Sequence, residues 1–373
     1  MVAPRTPAYN TSVGQADKTQ HVAQNPPLDA TAARWIDAHF RDRWRAILGV
    51  DDMVGLVLDH LERRGILAST YVFFSSDHGY KLGEWRIGCS KQHPMESDVH
   101  IPFFARGPGI APGTRLSALV SNVDIAPTFI DIAGLPPNPE HDGRSLLPML
   151  HTAQGSTQRR TLEGSWRTTQ IIEYLSVGTY YNDHAAIWVS GPAAVPGTPV
   201  VYGHGPFTPV AVNASEKRCA ASENKTVGRV GAGECYFVDS TESNNWIAIR
   251  VRNATDNFVY AESFGAQAMN TPILGPSGMV MGKGIFKCLE GDLCQHELYH
   301  YGPINASEYP HYPVMTDERW CLVNSYKSSS LALQEALHAE LKASYCAQRR
   351  LSVDRMECSS GSDAQWGQVS HSD

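Results

Sequence analysis

A helical pattern of apolar residues occupies the first quarter of the chain. From Asp29 to about residue 64, aromatic and aliphatic side chains recur at three- and four-residue spacing, and Gly65 follows. Asp29 is suited to an N-cap, because its carboxylate can accept from the free amides of the first turn, and Gly65 is suited to a stop. A second stretch opens at Val50, and we expect its apolar side chains to face inward: Met53, Val54, Leu56, Val57, Leu58 and Leu61.

A short apolar strand is predicted next, at residues 70–76, and Asp77-His78-Gly79 follows it directly. A strand that is apolar on both sides suits the middle of a covered parallel sheet, where ligands gather at the carboxyl ends of strands. Another strand is predicted at 100–105 and a helix at 124–133, which Gly134 closes. This order predicts an α/β half-domain.

The pattern changes after about residue 160. Residues 168–175, 246–251 and 258–264 are typical of antiparallel strands, and 331–345 has the pattern of an amphipathic helix. The Gly-, Pro- and Ala-rich segment 188–235 is interpreted as a surface loop, and the polar segment 4–27 as a loop or arm. We therefore expect an antiparallel second part.

Charge and hydropathy exclude two classes of partner. The 373 residues include 31 basic and 38 acidic side chains, for a net charge of −7, whereas proteins that bind nucleic acid carry clustered Lys and Arg. No apolar run reaches the roughly 18 residues that cross a bilayer. The sequence therefore predicts neither a nucleic-acid partner nor a membrane span.

Cysteines and glycosylation acceptors indicate an extracytoplasmic protein. None of the eight Cys lies in a Cys-x-x-Cys, so disulfides are favoured over zinc, and Cys288 and Cys294 are close enough in sequence to pair. Residues 1–30 hold no apolar block typical of a secretory signal, which predicts an incomplete chain. Five Asn-x-Ser/Thr acceptors occur, at Asn10, Asn213, Asn224, Asn253 and Asn305.

Asp77 and His78 place a carboxylate and an imidazole at the mouth of the predicted strand, where both can face one hard or borderline cation. By themselves these are also common turn residues. The continuation changes the interpretation, because it reads Gly-Tyr-Lys-Leu-Gly-Glu-Trp at 79–85, then Lys91, and later Arg-Gly-Pro-Gly at 106–109.

With this continuation the sequence resembles the sulfatases of the alkaline-phosphatase-like superfamily. Residues 120–134 and 142–148 also match that family in order, while 3–10 and 40–44 are most similar to its N-acetylglucosamine-6-sulfatase branch. The resemblance implies a sulfuric ester hydrolase that removes 6-O-sulfate from glycosaminoglycan-type glycans. It also implies a location in the secretory pathway, extracellular or lysosomal.

The resemblance implies a role for three residues. Asp77 and His78 match the second pair of calcium ligands, and Lys91 matches the lysine that contacts the sulfate oxygens. A cation and an ammonium there would stabilise the negative charge that develops on a sulfate ester during cleavage. We expect Glu84, Glu96 and His100 to brace the loops or face solvent, while His93 could meet substrate.

The sequence departs from the family at the nucleophile. No Cys-x-Pro-x-Arg or Ser-x-Pro-x-Arg, the source of the family's formylglycine, occurs in it, nor does the first Asp-Asp pair; Asp51-Asp52 opens a helical stretch instead. The predicted units are therefore the C-terminal part of the α/β sulfatase catalytic domain (1–160), an antiparallel-sheet and helix subdomain (161–346) and a flexible tail (347–373). An incomplete, inactive sulfatase is expected; the alternatives are a non-catalytic binder of sulfated glycan and another arylsulfatase or phosphodiesterase of the superfamily.

Overall fold

The architecture was obtained from a computed structural model. It describes residues 1–14, 17–18, 22, 27–88, 91–174, 188–189, 208–209, 227–229, 235–237, 246–253, 256–263, 273–274, 280–282, 295–301 and 324–348. Two predictions lie outside these ranges: the tail at 347–373, of which only the backbone of the first two residues is described, and the Cys288–Cys294 pair. So do the acceptors Asn213, Asn224 and Asn305.

The long first helix, α1, spans Ala30–Arg63 and confirms the helical pattern. The Asp29 carboxylate accepts from the Ala32 backbone N–H at 2.7 Å, as an N-cap should. Gly65 has a φ of +69°, a left-handed conformation that glycine adopts without steric cost. The helix is continuous through Val50, where the second stretch was predicted to open.

The second half of α1 is largely exposed, contrary to prediction. Met53, Leu56 and Val57 were expected to face inward, yet they are 57%, 66% and 50% exposed. The buried cluster on this helix involves only its first three turns, ending at Phe40 within the part of the chain that the structure describes. The apolar pattern of the helix is therefore correct, but no described element covers its second half.

Two short strands carry the start of the candidate site. β1 spans Val72–Ser75 and β2 spans Phe103–Arg106, and they pair antiparallel in a two-stranded sheet. The prediction that β1 lies inside a parallel sheet is therefore wrong for the described residues. Alternate side chains separate by face: Phe74 and Phe104 are exposed, while Phe73, Phe103 and Ala105 pack on a cluster that contains Leu146, Met149 and Leu150.

The described residues contain five further helices, four of them in the first 164 residues and one near the C-terminus, and two of the five confirm predicted helices. α3, at Ile125–Ile132, matches the helix predicted at 124–133 and follows a 3-10 turn at Asn122–Asp124. The helix near the C-terminus, Leu331–Gln348, is α6. The others are α2 (Glu96–Val99), α4 (Leu147–Leu150) and α5 (Thr157–Gly164).

The second part of the chain contains the antiparallel strands that were predicted at 168–175, 246–251 and 258–264. Its described strands are, in chain order, β3 (Thr169–Tyr174), β4 (Trp188–Val189), β5 (Thr208–Pro209), β6 (Val227–Arg229), β7 (Cys235–Phe237), β8 (Trp246–Arg252), β9 (Asn257–Ser263), β10 (Ile273–Leu274), β11 (Val280–Gly282) and β12 (Gln295–His300).

The main sheet has the order β12-β9-β8-β3, with every neighbouring pair antiparallel. The segment 188–235, interpreted as loop, instead contains β4, β5, β6 and the first residue of β7. These strands form a smaller sheet in the order β5-β4-β6-β7, in which β4 and β6 are parallel and the other pairs are antiparallel. The fold is therefore mixed α/β with antiparallel sheets, which confirms the predicted class.

One buried cluster joins the two parts of the chain. It combines Trp85, Ile87 and Met95 from the first part with six residues of the main sheet and its border: Trp246, Ala248, Val259, Ala261, Tyr299 and Tyr301. The loops around the candidate site therefore rest on the antiparallel sheet. Among the described residues, no helix combines the length and apolarity that crossing a membrane requires.

Candidate functional site

Asp77 and His78 form a turn directly after β1, and their side chains face each other. The His78 Nδ1 lies 2.7 Å from the Gly79 carbonyl oxygen, so Nδ1 must carry the hydrogen and donate it. In the neutral ring Nε2 is then the acceptor nitrogen, and it lies 3.1 Å from Asp77 Oδ2. The other carboxylate oxygen, Oδ1, accepts from the His78 backbone N–H at 2.9 Å.

The Asp77–His78 pair fits part of a cation site. Two acceptor atoms at this separation repel each other unless a proton or a cation lies between them, and a backbone carbonyl that fixes the imidazole is typical of a metal-ligating histidine. The Asp77 side chain is 80% exposed. Burial raises the pKa of its carboxyl more than any other single cause, but the His78 N–H and ring together outweigh it and hold the pKa below its ordinary value. Calcium takes six to eight ligands, mostly oxygens, and the described residues contain no group of three or more candidate ligands.

Gly79 seats this turn against α2. Its N–H donates to the Asp98 carbonyl at 2.7 Å, and a Cβ at this position would lie only 1.9 Å from the Ser97 carbonyl oxygen. No side chain fits in that space without moving backbone. The position of the Asp77–His78 pair therefore depends on α2.

Replacing Gly79 with alanine is expected to destabilise the protein by about 2 kcal/mol, because the new methyl group must displace the backbone of α2. The matched control is Gly164→Ala in α5, where no atom lies within 4 Å of the added Cβ. Urea unfolding of both variants measures the difference. Equal midpoints for the two variants would contradict the close packing.

Lys91, the predicted sulfate ligand, lies between Asp77–His78 and α2 along the chain and is half-buried. Among the residues that the structure describes, its ammonium makes no hydrogen bond or ion pair. The next residue, Gln92, has a φ of +84°, and its carbonyl accepts from the indole N–H of Trp246 on β8 at 2.9 Å. The main sheet therefore anchors the segment that carries Lys91.

A buried network that sequence reasoning missed lies between these elements. Lys81, His93 and Asp98 are 0%, 2% and 4% exposed, and the Lys81 ammonium donates both to Asp98 Oδ2 and, at 3.0 Å, to His93 Nδ1. Burial alone would raise the pKa of Asp98, but Lys81 and His93 hold it below its ordinary value. The expectation that His93 could meet substrate is wrong, because its ring is enclosed. Nothing in the sequence marks Lys81 and Asp98 as a pair.

The other charged residues near Lys91 brace loops, as expected. Glu96 accepts from the Arg250 Nε at 3.1 Å and contacts His100 Nδ1 at 3.0 Å, which joins α2 to β8. Burial opposes the charge on Glu96, but His100 and Arg250 outweigh it and lower its pKa to about 2. Glu84 accepts from the Leu82 N–H at 2.6 Å and from the Thr6 hydroxyl at 3.2 Å.

Asn10, one of the two glycosylation acceptors in the described residues, holds the N-terminal arm in place. Its side-chain amide donates to the Leu28 carbonyl at 3.1 Å, and its oxygen accepts from the Leu28 N–H at 2.7 Å. Asn253, the other, lies in an exposed turn, where its side chain bonds Asp256. The N-terminal arm therefore packs on the rest of the described chain, and the backbone of Tyr9 forms an isolated antiparallel β-bridge with that of Glu84.

Comparison with known proteins gives a consistent result over the first part of the chain. The sulfatase family model matches residues 3–135. Human N-acetylglucosamine-6-sulfatase is 37% identical over 158 residues, which cover 42% of this chain and 27% of the relative. The extracellular sulfatase SULF-1 homolog of Drosophila melanogaster is 36% identical over 169 residues, which cover 45% of this chain and 14% of the relative.

The matches to the human and Drosophila relatives therefore span less than a third of each relative's length. Among solved structures, BT4656 in complex with its substrate D-glucosamine-2-N,6-O-disulfate is similar at 20% identity and a TM-score of 0.48, covering 86% of this chain and 43% of that one. The segment that the family model matches contains Asp77, His78 and Lys91. Residues 3–135 of this chain therefore match the sulfatase family.

Proposed function

We propose that this chain carries half of the active site of a sulfuric ester hydrolase that removes 6-O-sulfate from N-acetylglucosamine in glycosaminoglycan-type glycans. The observation that carries the proposal is the Asp77–His78 pair, whose acceptor atoms face each other 3.1 Å apart within the segment that matches the sulfatase family. The name of the human relative supports the choice of sugar.

In the proposed site, Asp77 Oδ2 and His78 Nε2 hold a divalent cation, calcium by family resemblance. When bound, that cation supplies positive charge that polarises the sulfate group. Lys91 donates hydrogen bonds to the sulfate oxygens, which gain negative charge as the ester bond breaks. The Gly79 carbonyl holds His78 in the tautomer that leaves Nε2 available.

No residue of this chain matches the source of the family's formylglycine nucleophile. Formylglycine forms in a Cys-x-Pro-x-Arg or Ser-x-Pro-x-Arg motif in the family, and the 373 residues contain neither. We therefore derive no covalent step, and we propose that the chain by itself binds the sulfated sugar without hydrolysing it. Loss of a nucleophile costs many orders of magnitude in rate.

A non-catalytic binder of sulfated glycan is the second candidate, and the missing motif favours it. Both candidates use Lys91 and the Asp77–His78 pair, and both predict that this chain by itself binds the sulfated sugar without turnover. The phosphodiesterase alternative has less support, because the family model and the curated relatives that match this chain are described as sulfatases. We propose a location in the secretory pathway, supported by the five glycosylation acceptors and by relatives described as extracellular.

Lys91→Ala is expected to weaken binding of N-acetylglucosamine-6-sulfate about tenfold or more in the presence of calcium. A hydrogen bond from a charged donor contributes about 1.5–3 kcal/mol, and about 1.4 kcal/mol corresponds to tenfold. Isothermal titration measures the affinity, and Lys327→Ala, which removes an exposed lysine in the second part of the chain, is the matched control.

Equal affinity of the Lys91→Ala variant and the unaltered chain would contradict the proposed site. Sulfate release is measured in the same samples, with none expected. Turnover that Lys91→Ala abolishes would show instead that the chain is a complete catalyst.

A further inference from the structure

The Asp77–His78 pair and Lys91 lie on separate loops, and a sulfate site requires them to stay at a fixed separation. Catalytic and binding groups work only when the residues behind them lock their geometry. The Lys81–His93–Asp98 network, made of these three buried side chains, touches both loops.

Asp98 contacts the first loop through its backbone and the second through its side chain. Its carbonyl accepts from the N–H of Gly79, the residue after His78, at 2.7 Å. Its carboxylate Oδ2 accepts from the His93 backbone N–H at 2.9 Å and from the Lys81 ammonium. Oδ1 accepts from the Ser97 hydroxyl at 2.9 Å. One residue therefore joins the turn of the cation pair to the segment of Lys91.

His93 completes the connection to Lys91. Its ring hydrogen-bonds the Lys91 backbone, and its Nδ1 accepts from the Lys81 ammonium. Burial and the Lys81 charge lower the pKa of His93 to about 4, so the ring is neutral at neutral pH and can accept from Lys81. Each member of the network is therefore a donor or acceptor for another.

The network has little freedom to rearrange. Lys81 and Asp98 are both buried and neutralise each other, and moving either side chain would leave a buried charge without its partner, which is strongly unfavourable. Buried polar networks that are fully satisfied impose one arrangement on the elements they join. The placement of Lys91 therefore follows from the placement of Asp98.

We propose that Asp98 is a positioning residue, which acts through Lys81 and His93 to hold Lys91 at a fixed place relative to the Asp77–His78 pair. The inference rests on the proposed function, because it concerns the geometry of the same site. Asp98 itself is enclosed and does not contact the sulfate.

The test is a double-mutant cycle on His93 and Lys91, with N-acetylglucosamine-6-sulfate and calcium as the probe. His93→Leu fills the space but cannot bond Lys81 or the Lys91 backbone, and it is expected to weaken binding about fivefold in the chain that has Lys91. In the Lys91→Ala chain the same change is expected to have less than a twofold effect. His93→Gln, which can accept from Lys81 and donate to a carbonyl, is expected to restore most of the affinity.

Equal effects of His93→Leu in the two backgrounds would overturn the proposal, because a purely structural role does not depend on the Lys91 side chain. Asp124→Asn is the control for lost stability, since it also removes a buried carboxylate charge that has a basic partner. It is expected to lower stability without changing the affinity for the probe.

Amide hydrogen exchange separates failure of the inference from failure of the proposed function. Asp98→Asn is expected to speed exchange at both Gly79 and His93 at least tenfold, whereas Asp124→Asn speeds neither. Loss of protection at only one of the two amides would overturn the link through Asp98. If Lys91→Ala leaves probe binding unchanged, the proposed function fails, and the exchange result still decides whether Asp98 joins the two loops.

Discussion

Replacing Asp124 with alanine is expected to lower the free energy of unfolding by about 4 kcal/mol. The Asp124 carboxylate is fully buried and accepts from the backbone N–H groups of Ser121 and Arg144, both at 2.8 Å, and from both terminal nitrogens of Arg167. Removing one partner of a buried ion pair costs about 3–5 kcal/mol, because the other charge stays buried without compensation. The two backbone donors also lose their acceptor.

Urea unfolding measures this loss, and two further variants test whether the buried ion pair is its cause. Asp42→Ala removes a carboxylate from the exposed Asp42–Arg45 pair and is expected to change stability by less than about 1 kcal/mol. Arg167→Met in the Asp124→Ala chain removes the uncompensated charge and is expected to recover part of the loss. If the double variant is no more stable than Asp124→Ala, the unpaired Arg167 is not the cause.

Features set by neighbouring residues could be predicted from the sequence. The ends of α1 follow from Asp29 and Gly65, because a cap and a left-handed glycine act within one turn of the helix. The strands β3, β8 and β9 follow from their apolar patterns. Local chemistry is sufficient for these elements.

The surroundings of an element could not be predicted in the same way. Residues 70–76 are apolar on both faces, which favours a covered strand. The pattern, however, neither identifies β2 as the strand that pairs with β1 nor predicts that Phe74 is exposed. The same holds for Leu56 on α1, since an apolar side chain is buried only where another element covers it. Burial is a property of the pair of surfaces, and the sequence of one surface specifies only half of it.

The candidate site shows the same division. Asp77, His78 and Lys91 belong to a motif that is contiguous enough to recognise. The pairing of Lys81 with Asp98 depends on α2 folding back over the turn, and charged side chains are rarely buried, so no pattern marks them. The residues expected to bind ligand could therefore be named from the sequence, whereas the residues that hold them could not.

Acid is expected to destabilise the protein well before its carboxylates are protonated, because two histidines are buried in the neutral form. Burial lowers the pKa of His39 to about 4, and Arg43 adds to this effect; the ring stacks on Trp35 and bonds the Tyr80 hydroxyl at 3.1 Å. Burial and Lys81 lower the pKa of His93 to about 4 as well. In the unfolded chain both histidines titrate near 6.5.

The direction follows from the protons bound in each state. Between pH 6.5 and 4 the unfolded chain binds more protons at His39 and His93 than the folded protein does, so stability is fully present above 6.5 and is lost as the pH falls toward 4. Each histidine contributes up to roughly 3 kcal/mol to this loss. Glu96, with a folded pKa of about 2, adds a further loss only below about 4.5.

Urea midpoints at several pH values from 7.5 to 4.5, measured on the unaltered chain and on His39→Phe, test this origin. Phenylalanine can keep the stacking on Trp35 but has no proton to bind, so the variant is expected to lose less stability per pH unit, by up to about 1.4 kcal/mol. His100, whose pKa Glu96 raises, acts in the opposite sense and stabilises only below its folded pKa, but its ring is largely exposed and its effect is screened. Identical pH dependence of the two proteins would mean that His39 is already protonated in the folded state, because only a histidine that stays neutral on folding makes unfolding take up a proton.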